Sequence, residues 1–334
     1  MKLFVAGGAG YVGSHCVREL IGAGHEVVVF DNLNDGGHAE AVDPRAECIV
    51  ADLSNRDALE QAFATHAFDA VMHFAAHLDV GESVAQPLKY YRNNISNTIE
   101  LLDAMRRHEV RKLVFSSTCA TYGEPDTLPI TEELPQAPIN PYGRTKLAIE
   151  WALQDSAGAW GLGATALRYF NASGASSDGT IGEDRDPEYH LIPLVLQVAL
   201  GQRKLIKVFG TDYPTRDGTC VRDYIHVEDL ASAHRLAIES QPPATFRAYN
   251  VGTGLGVTVR ELIEISRSVC GCAIPSEDAP RRPGDPPELY ADPTKLKKEL
   301  GWNPKYTRIE PIIQTAWQWH RTHPKGYATE KPAP

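Results

Sequence analysis

Three residue types in this chain could together move a proton: a tyrosine, a lysine and a small hydroxyl. Tyr142 and Lys146 stand four apart in NPYGRTKLAIE, just inside a helix that Pro141 can open, because proline presets φ and its missing N–H is not needed at the first helical position. Residues four apart share one helix face, which any helix start can present. An ammonium held about 6 Å from a phenol favours the phenolate, so the spacing predicts a tyrosine drawn from its ordinary pKa of about 10 toward neutral pH, where it acts as a general base. The hydroxyl comes from SSTCATYG, which follows the apolar run KLVF and sets Ser116, Ser117 and Thr118 at a strand's carboxyl end.

A second group of residues could hold the redox partner for such a base. AGGAGYVGSH spaces Gly7, Gly10 and Gly13 as G-x-x-G-x-x-G between the strand KLFVAG and a helix. Gly7 allows the tight turn, Gly10 lets backbone approach a pyrophosphate, and Gly13 lets the helix pack closely. The phosphates then sit at the helix N-terminus, over Tyr11 and Val12. Eighteen residues after Gly13, Asp31 ends the run VVVFDN, followed by Asn32. A carboxylate there accepts from the adenosine ribose diol and repels a 2′-phosphate, so NAD is expected rather than NADP. The third strand ends at Asp52 and Leu53, with Asp52 facing the adenine, and the fourth at HFAA, with Phe74, Ala75 and Ala76 against the cofactor and His73 structural.

Positioning these ends requires a sheet. Six short apolar runs, KLFVAG, EVVVFD, ECIVAD, DAVMHFA, KLVFSS and ATALRYF, alternate with amphipathic stretches. In one of these, Ile95, Ile99, Leu102 and Met105 recur at helical spacing as an expected core face. Fully apolar strands joined by crossover helices predict an α/β fold, a Rossmann-type doubly wound parallel sheet. From about Ala172 the pattern loosens into Gly, Pro and Asp-rich loops, which predicts a smaller C-terminal α/β substrate-binding domain. The expected division is 1–172 for the NAD-binding unit, rejoined at about 222–250, and 173–334 for the substrate unit, with ATEKPAP at the end weakly ordered.

Composition narrows the function class. At 334 residues with 43% hydrophobic and 23% charged residues, the chain can bury one large α/β core and carries no apolar run of membrane-spanning length. No secretory signal is evident at the start, and a cytoplasmic protein is expected. A net charge of −10 argues against nucleic acid as partner, and the basic cluster RRHEVRK falls where a helix should end and complements its dipole. Six scattered cysteines, with only Cys270 and Cys272 close, give no zinc pattern, so reduced thiols and no metal are expected.

Thr118, Tyr142 and Lys146 beside a dinucleotide fold resemble the catalytic constellation of the short-chain dehydrogenase/reductase superfamily. The motifs GGAGYVGSH, HFAA, VGESV, PLKYYRNNI, SSTCATYGEP, PINPYGRTK, LRYFNASGA, FGTDYPTRDGTCVRDYIHVEDLA, YNVGTG and RRPGD, in that order, resemble the UDP-glucose 4-epimerases over nearly the whole chain. The resemblance implies an NAD-dependent isomerase that interconverts UDP-galactose and UDP-glucose through a rotating 4-keto sugar. It implies Tyr142, Lys146 and Thr118 as catalytic residues, with Asn94, Ser116 and Tyr169 joining the cofactor contacts. Asn171, His190, Leu191, Phe209, Arg222, Tyr224, Arg282, Asp285 and Leu289 would contact the UDP-hexose. Two arginines suit a diphosphate on an acidic protein, because guanidinium forks grip phosphate bidentately. A homodimer joined through helices around Tyr90 to Met105 and Tyr142 to Gln154 is implied as well. The chain departs from the family pattern at Leu78 and Asp79, where a lysine near the cofactor is usual, and Leu289 leaves acceptance of an N-acetyl sugar open. A UDP-xylose/UDP-arabinose 4-epimerase shares much of the wording. A nucleotide-sugar 4,6-dehydratase would need acidic residues where Cys119 and Ala120 stand.

Overall fold

Strands form where apolar residues run unbroken, because both faces of the sheet they build are covered by helices. In the computed structural model, which describes residues 1–34, 36–282 and 284–327, β1 (Lys2–Ala6), α1 (Tyr11–Gly22) and β2 (Glu26–Asp31) open the chain. β3 (Glu47–Val50), α2 (Arg56–Thr65) and β4 (Ala70–His73) follow. Two short helices, α3 (Val80–Ala85) and α4 (Pro87–Tyr90), lead through a π-helical stretch at Tyr91–Ser96 into α5 (Asn97–Arg107). Then come β5 (Lys112–Thr118), α6 (Pro141–Trp160) and β6 (Gly163–Tyr169). The chain leaves the sheet for β7 (Asn171–Ser173), α7 (Leu191–Ala199), β8 (Ile206–Phe209), β9 (Val221–His226) and α8 (Val227–Glu239). It returns as β10 (Phe246–Val251), parallel to β6.

The resulting seven-stranded sheet runs β3-β2-β1-β4-β5-β6-β10, every pair parallel. Alternate residues of each strand feed two cores: Phe4, Phe30, Val71 and Phe115 on one face, Leu3, Val5, Val29 and Met72 on the other. The remaining elements are β11 (Gly256–Thr258), α9 (Val259–Cys270), β12 (Ser276–Ala279), β13 (Glu288–Leu289), α10 (Thr294–Leu300) and α11 (Ile309–Thr322). β9 is the hub of a small second sheet, antiparallel to β11 and parallel to β13 and β7. A third core packs α7, α9 and α11 beside it. The tail 328–334, expected to be weakly ordered, lies outside the described residues. No helix among those residues is long and apolar enough to cross a membrane.

One expected core face is out of phase. Leu102 and Met105 are buried, but Ile99 is 40% exposed, and Thr98 and Leu101 take the interior places. Ile99, Leu102 and Met105 all lie within regular α5, where about 100° per residue centres the buried stripe on Thr98, Leu101, Leu102 and Met105 and leaves Ile99 beyond its edge. Thr98 then donates to the Asn94 carbonyl and pairs with His73 Nε2 at 2.7 Å, closing the end of β4. Arg106 and Arg107 do fall in the last turn of α5, at the negative end of its dipole.

A buried polar network ties α6 to the sheet. Glu150 on α6 and Arg168 on β6 pair at 2.6 Å with side chains 2% and 6% exposed. Ser117 on β5 donates to the same carboxylate at 2.5 Å, Gln136 donates at 3.2 Å, and Arg168 also donates to the Tyr122 hydroxyl at 2.8 Å. Removing one member strands a buried charge. Glu150→Leu is therefore expected to destabilise the fold by roughly 3–5 kcal/mol in urea unfolding, while Glu150→Leu combined with Arg168→Met recovers most of that loss. Equal losses for the single and double variants would show that packing, not the pair, carries the stability.

Candidate functional site

The sheet order reverses between β1 and β4, and the carboxyl ends of these strands open into a cleft of about 870 Å³. Gly7 lies at φ +80°, and a Cβ there would sit 2.5 Å from the Ala75 nitrogen. A Cβ on Gly13 would fall 2.1 Å from the Gly7 carbonyl oxygen, so α1 packs onto the turn only with glycine. Gly10 is the N-cap of α1 with no side-chain cap, and the first turn holds no acidic residue. Unclaimed N–H groups at the positive end of a helix dipole are suited to a phosphate. Asp31 follows at the end of β2, where Oδ2 accepts from the Ala9 N–H and Oδ1 from the Leu33 N–H, each at 2.9 Å. Burial pushes its pKa up while those backbone donors pull it back, and each oxygen keeps a lone pair for a further donor. Asn32 donates to Asp52 at 2.6 Å beside it. Tyr11, Val12, Leu53, Phe74, Ala75 and Ala76 complete this end of the cleft wall. The donor set and the glycine cradle fit a dinucleotide.

Further along the wall, Thr118 at the end of β5 meets Tyr142 in the first turn of α6. Pro141 and the Asn140 side chain, which accepts from the Gly143 N–H at 2.8 Å, start that helix. Lys146, only 2% exposed, donates from Nζ to the Ser116 carbonyl at 2.8 Å and lies 5.9 Å from the Tyr142 ring centroid. Ser116 Oγ pairs in turn with the Tyr169 hydroxyl. The electrostatics correct the expectation drawn from spacing. Burial pushes the Tyr142 phenol well above its ordinary pKa, the neighbouring Tyr169 adds to this, and the Thr118 hydroxyl pulls the other way. Burial likewise brings Lys146 down to about 7, against the pull of Glu150. A lysine that is half neutral at pH 7 cannot alone hold a buried tyrosine as its anion.

At the other end of the cleft lie Asn171, His190, Arg222, Arg282, Asp285 and Leu289. β7 and β9 hold Asn171, whose Nδ2 donates to the Asp223 carbonyl at 3.0 Å. Arg222 pairs with Asp285 at 3.0 Å, and the Arg282 guanidinium lies 4.0 Å over the Phe209 ring. No carboxylate pairs with Arg282 among the described residues. His190 Nδ1 lies 2.8 Å from Glu183 and 3.2 Å from Glu188. Burial disfavours its charge, but the two carboxylates outweigh that and hold it at about 10, an imidazolium at neutral pH. These three residues bring donor atoms within 4.8 Å of one another, and here they form an ion-pair cluster.

Several expected contacts stand elsewhere. Asn94, Ser116 and Lys146 lie one layer behind the wall; Asn94 grips the His77 backbone from both sides, at 2.9 and 3.0 Å. Phe209 reaches the cleft only as the platform under Arg282. Tyr224 does not line the cleft, since its ring is enclosed with Ile192, Leu262 and Ile312 in the third core, and Leu191 at the start of α7 packs against the same core. Motif matching selected both by their neighbours in sequence, which says nothing of which side of an element is covered. Conversely, Asn34, His77, Glu183, Arg185 and Tyr189 line the cleft and were not anticipated. The density of charge in GEDRDPEYH was the available signal.

The geometry has relatives. The model of the NAD dependent epimerase/dehydratase family matches residues 3–252. A UDP-glucose 4-epimerase from Halalkalibacterium halodurans is 52% identical across 99% of this chain and 98% of that protein. A crystal structure of a UDP-glucose 4-epimerase superposes with a TM-score of 0.95 at 48% identity, covering 98% of this chain and all (100%) of that one. That of a UDP-glucose 4-epimerase from Bifidobacterium longum in complex with NAD+ and UDP gives 0.93 at 39% identity, covering 98% and 100%.

The depressed pKa of Lys146 has a definite sign in stability. Its folded value is about 7 against about 10.5 when unfolded, so between those limits the unfolded chain binds more protons and stability rises with pH; below pH 7 the full penalty remains. Compared by urea unfolding with Lys146→Met, the wild type should gain on the variant by roughly 1 kcal/mol or more between pH 7 and 9. A constant difference would mean that Lys146 stays charged throughout.

Proposed function

The chain belongs to the NAD dependent epimerase/dehydratase family, and we propose that it interconverts UDP-glucose and UDP-galactose by inverting the hexose at C4. The observation that carries this reading is one continuous cleft running from the glycine turn and Asp31, past Thr118 and Tyr142, to Arg222 and Arg282. Base, dinucleotide cradle and diphosphate-binding guanidinium groups thus face a common space. The same reading assigns residues 1–172, with the return at about 222–250, to the dinucleotide and the interleaved 173–334 to the nucleotide sugar. A cytoplasmic protein with its six thiols free agrees with this role.

In this mechanism Gly7, Gly10 and the start of α1 hold the dinucleotide phosphates and Asp31 its ribose. Bound NAD supplies a hydride acceptor for C4 and a fixed positive charge. Tyr142 removes the O4 proton, and Thr118 steadies the phenol and the sugar oxygen. Lys146 adds cationic character behind the tyrosine and takes its orientation from the Ser116 carbonyl. The added positive charge is what the buried pair lacks on its own, since burial holds Tyr142 high and Lys146 low. Arg222 and Arg282 keep the diphosphate while the 4-keto hexose turns over, and Tyr142 returns the proton once C4 has been reduced on its other face. A 4,6-dehydratase would need an acid beside Thr118, where Ala120 is inert and burial pushes Cys119 up to about 12.

Pairing of two copies through α6 and the stretch from Tyr91 to the end of α5 fits the exposed apolar side chains Tyr91, Ile99 and Trp151 there, the last 59% exposed. Proton NMR of the protein with UDP-galactose is expected to show UDP-glucose growing to equilibrium, while UDP-xylose in parallel turns over more slowly. Conversion of UDP-xylose alone would move the assignment to the pentose enzyme, and inertness to both would refute it. Tyr142→Phe should retain NAD by equilibrium titration yet lose roughly a hundredfold or more in turnover; an unimpaired variant would remove Tyr142 from the role of base.

A further inference from the structure

Arg185 lies in the segment between β7 and α7, part of which lines the same cleft as the glycine turn. The neighbouring Asp184 anchors this segment, its carboxylate 3.4 Å from His38 Nε2 and accepting from the Tyr327 N–H at 2.9 Å. The guanidinium comes down over Gly36, its Cζ and Nη2 each 3.6 Å from where a Cβ on that residue would stand. Gly36 follows Asp31 and Asn32 in the loop after β2, and all three line the cleft together with Gly10 and Arg185.

Arg185 is the cation of this wall with the least claimed charge. Its Nε is shielded from solvent and donates to nothing among the described residues. Its ring partner is the Tyr189 face, 5.3 Å from Cζ, and no carboxylate pairs with it among the described residues. The two glutamates of its own segment instead clamp His190, and Asp184 turns to His38. A guanidinium with a shielded unused Nε donor, lying over the loop that follows Asp31 and lining the same cleft as the uncapped N-terminus of α1, has the chemistry of a phosphate ligand.

We propose that Arg185 binds the pyrophosphate of the dinucleotide from the segment between β7 and α7. The proposal rests on the dinucleotide reading above. It makes this segment part of the cofactor site, so dinucleotide release requires Arg185 to let go.

Calorimetric titration of cofactor-stripped protein with ADP-ribose, adenosine and UDP tests this. Arg185→Met is expected to weaken ADP-ribose roughly ten- to a hundredfold and to leave adenosine and UDP unchanged, and Arg185→Lys to recover part of the loss. The wild-type affinity for ADP-ribose should also fall more steeply with salt than that of Arg185→Met. Unchanged ADP-ribose affinity in both variants overturns the proposal. Equal losses for adenosine overturn it in favour of a packing role, and a loss for UDP alone moves Arg185 to the nucleotide sugar. Failure of the wild type itself to bind ADP-ribose would instead bring down the dinucleotide reading.

Discussion

The buried pair between Glu150 and Arg168 is the interaction on which the site depends. Tyr142 and Lys146 belong to α6, Thr118 and the Ser116 carbonyl to β5, and no covalent constraint sets the distance between helix and strand. Glu150 reaches from α6 to Ser117 of β5 and Arg168 of β6 at once, so one carboxylate fixes the helix against two strands. Its charge is matched and its hydrogen bonds are filled, which is the condition under which a buried ion pair positions rather than destabilises. Catalytic geometry is unforgiving on the scale of an ångström, and this network lies directly behind the residues that must meet.

The same pair reaches into the chemistry through charge. Glu150 is the nearby anion that opposes the loss of the Lys146 charge, but burial wins and leaves the lysine near neutrality. Tyr142 is desolvated in the same pocket and pushed up. Burial in this one pocket thus favours the neutral form of both the phenol and the amine. Across the cleft of a protein of net −10, Arg222 is matched by Asp285 and His190 by two glutamates, while Arg282 and Arg185 stand over aromatic faces with no carboxylate attached among the described residues.

Much of the fold was legible because it is local. Six strands announce themselves as unbroken apolar runs, the glycine turn by its place between strand and helix, and Asp31 by ending β2. What escaped the sequence arises from surroundings. Ile99 shares its spacing with Leu102 and Met105, yet the sheet covers the side of α5 centred on Thr98 and Leu101 and leaves Ile99 exposed, which periodicity alone does not decide. Spacing placed Tyr142 beside Lys146 correctly but gave the wrong direction for the phenol's pKa, because desolvation depends on what covers the pair and not on their separation. Tyr224 failed as a contact and Arg185 went unnoticed for one reason: strand neighbours and loop composition do not reveal which side of the chain faces a cavity.

The wall near Tyr142 is sparsely charged. Ala120, Ile139 and Phe170 line the cleft with Tyr142, whereas Leu289 pairs in register with Arg222 at the end that holds the arginines. A hexose that is to be oxidised on one face and reduced on the other must not be held by directional bonds in either pose, since each such bond would have to break before it could turn. Apolar contacts are non-directional and survive the rotation. Polar groups at the ends with a weakly polar middle therefore favour inversion over one-way oxidation.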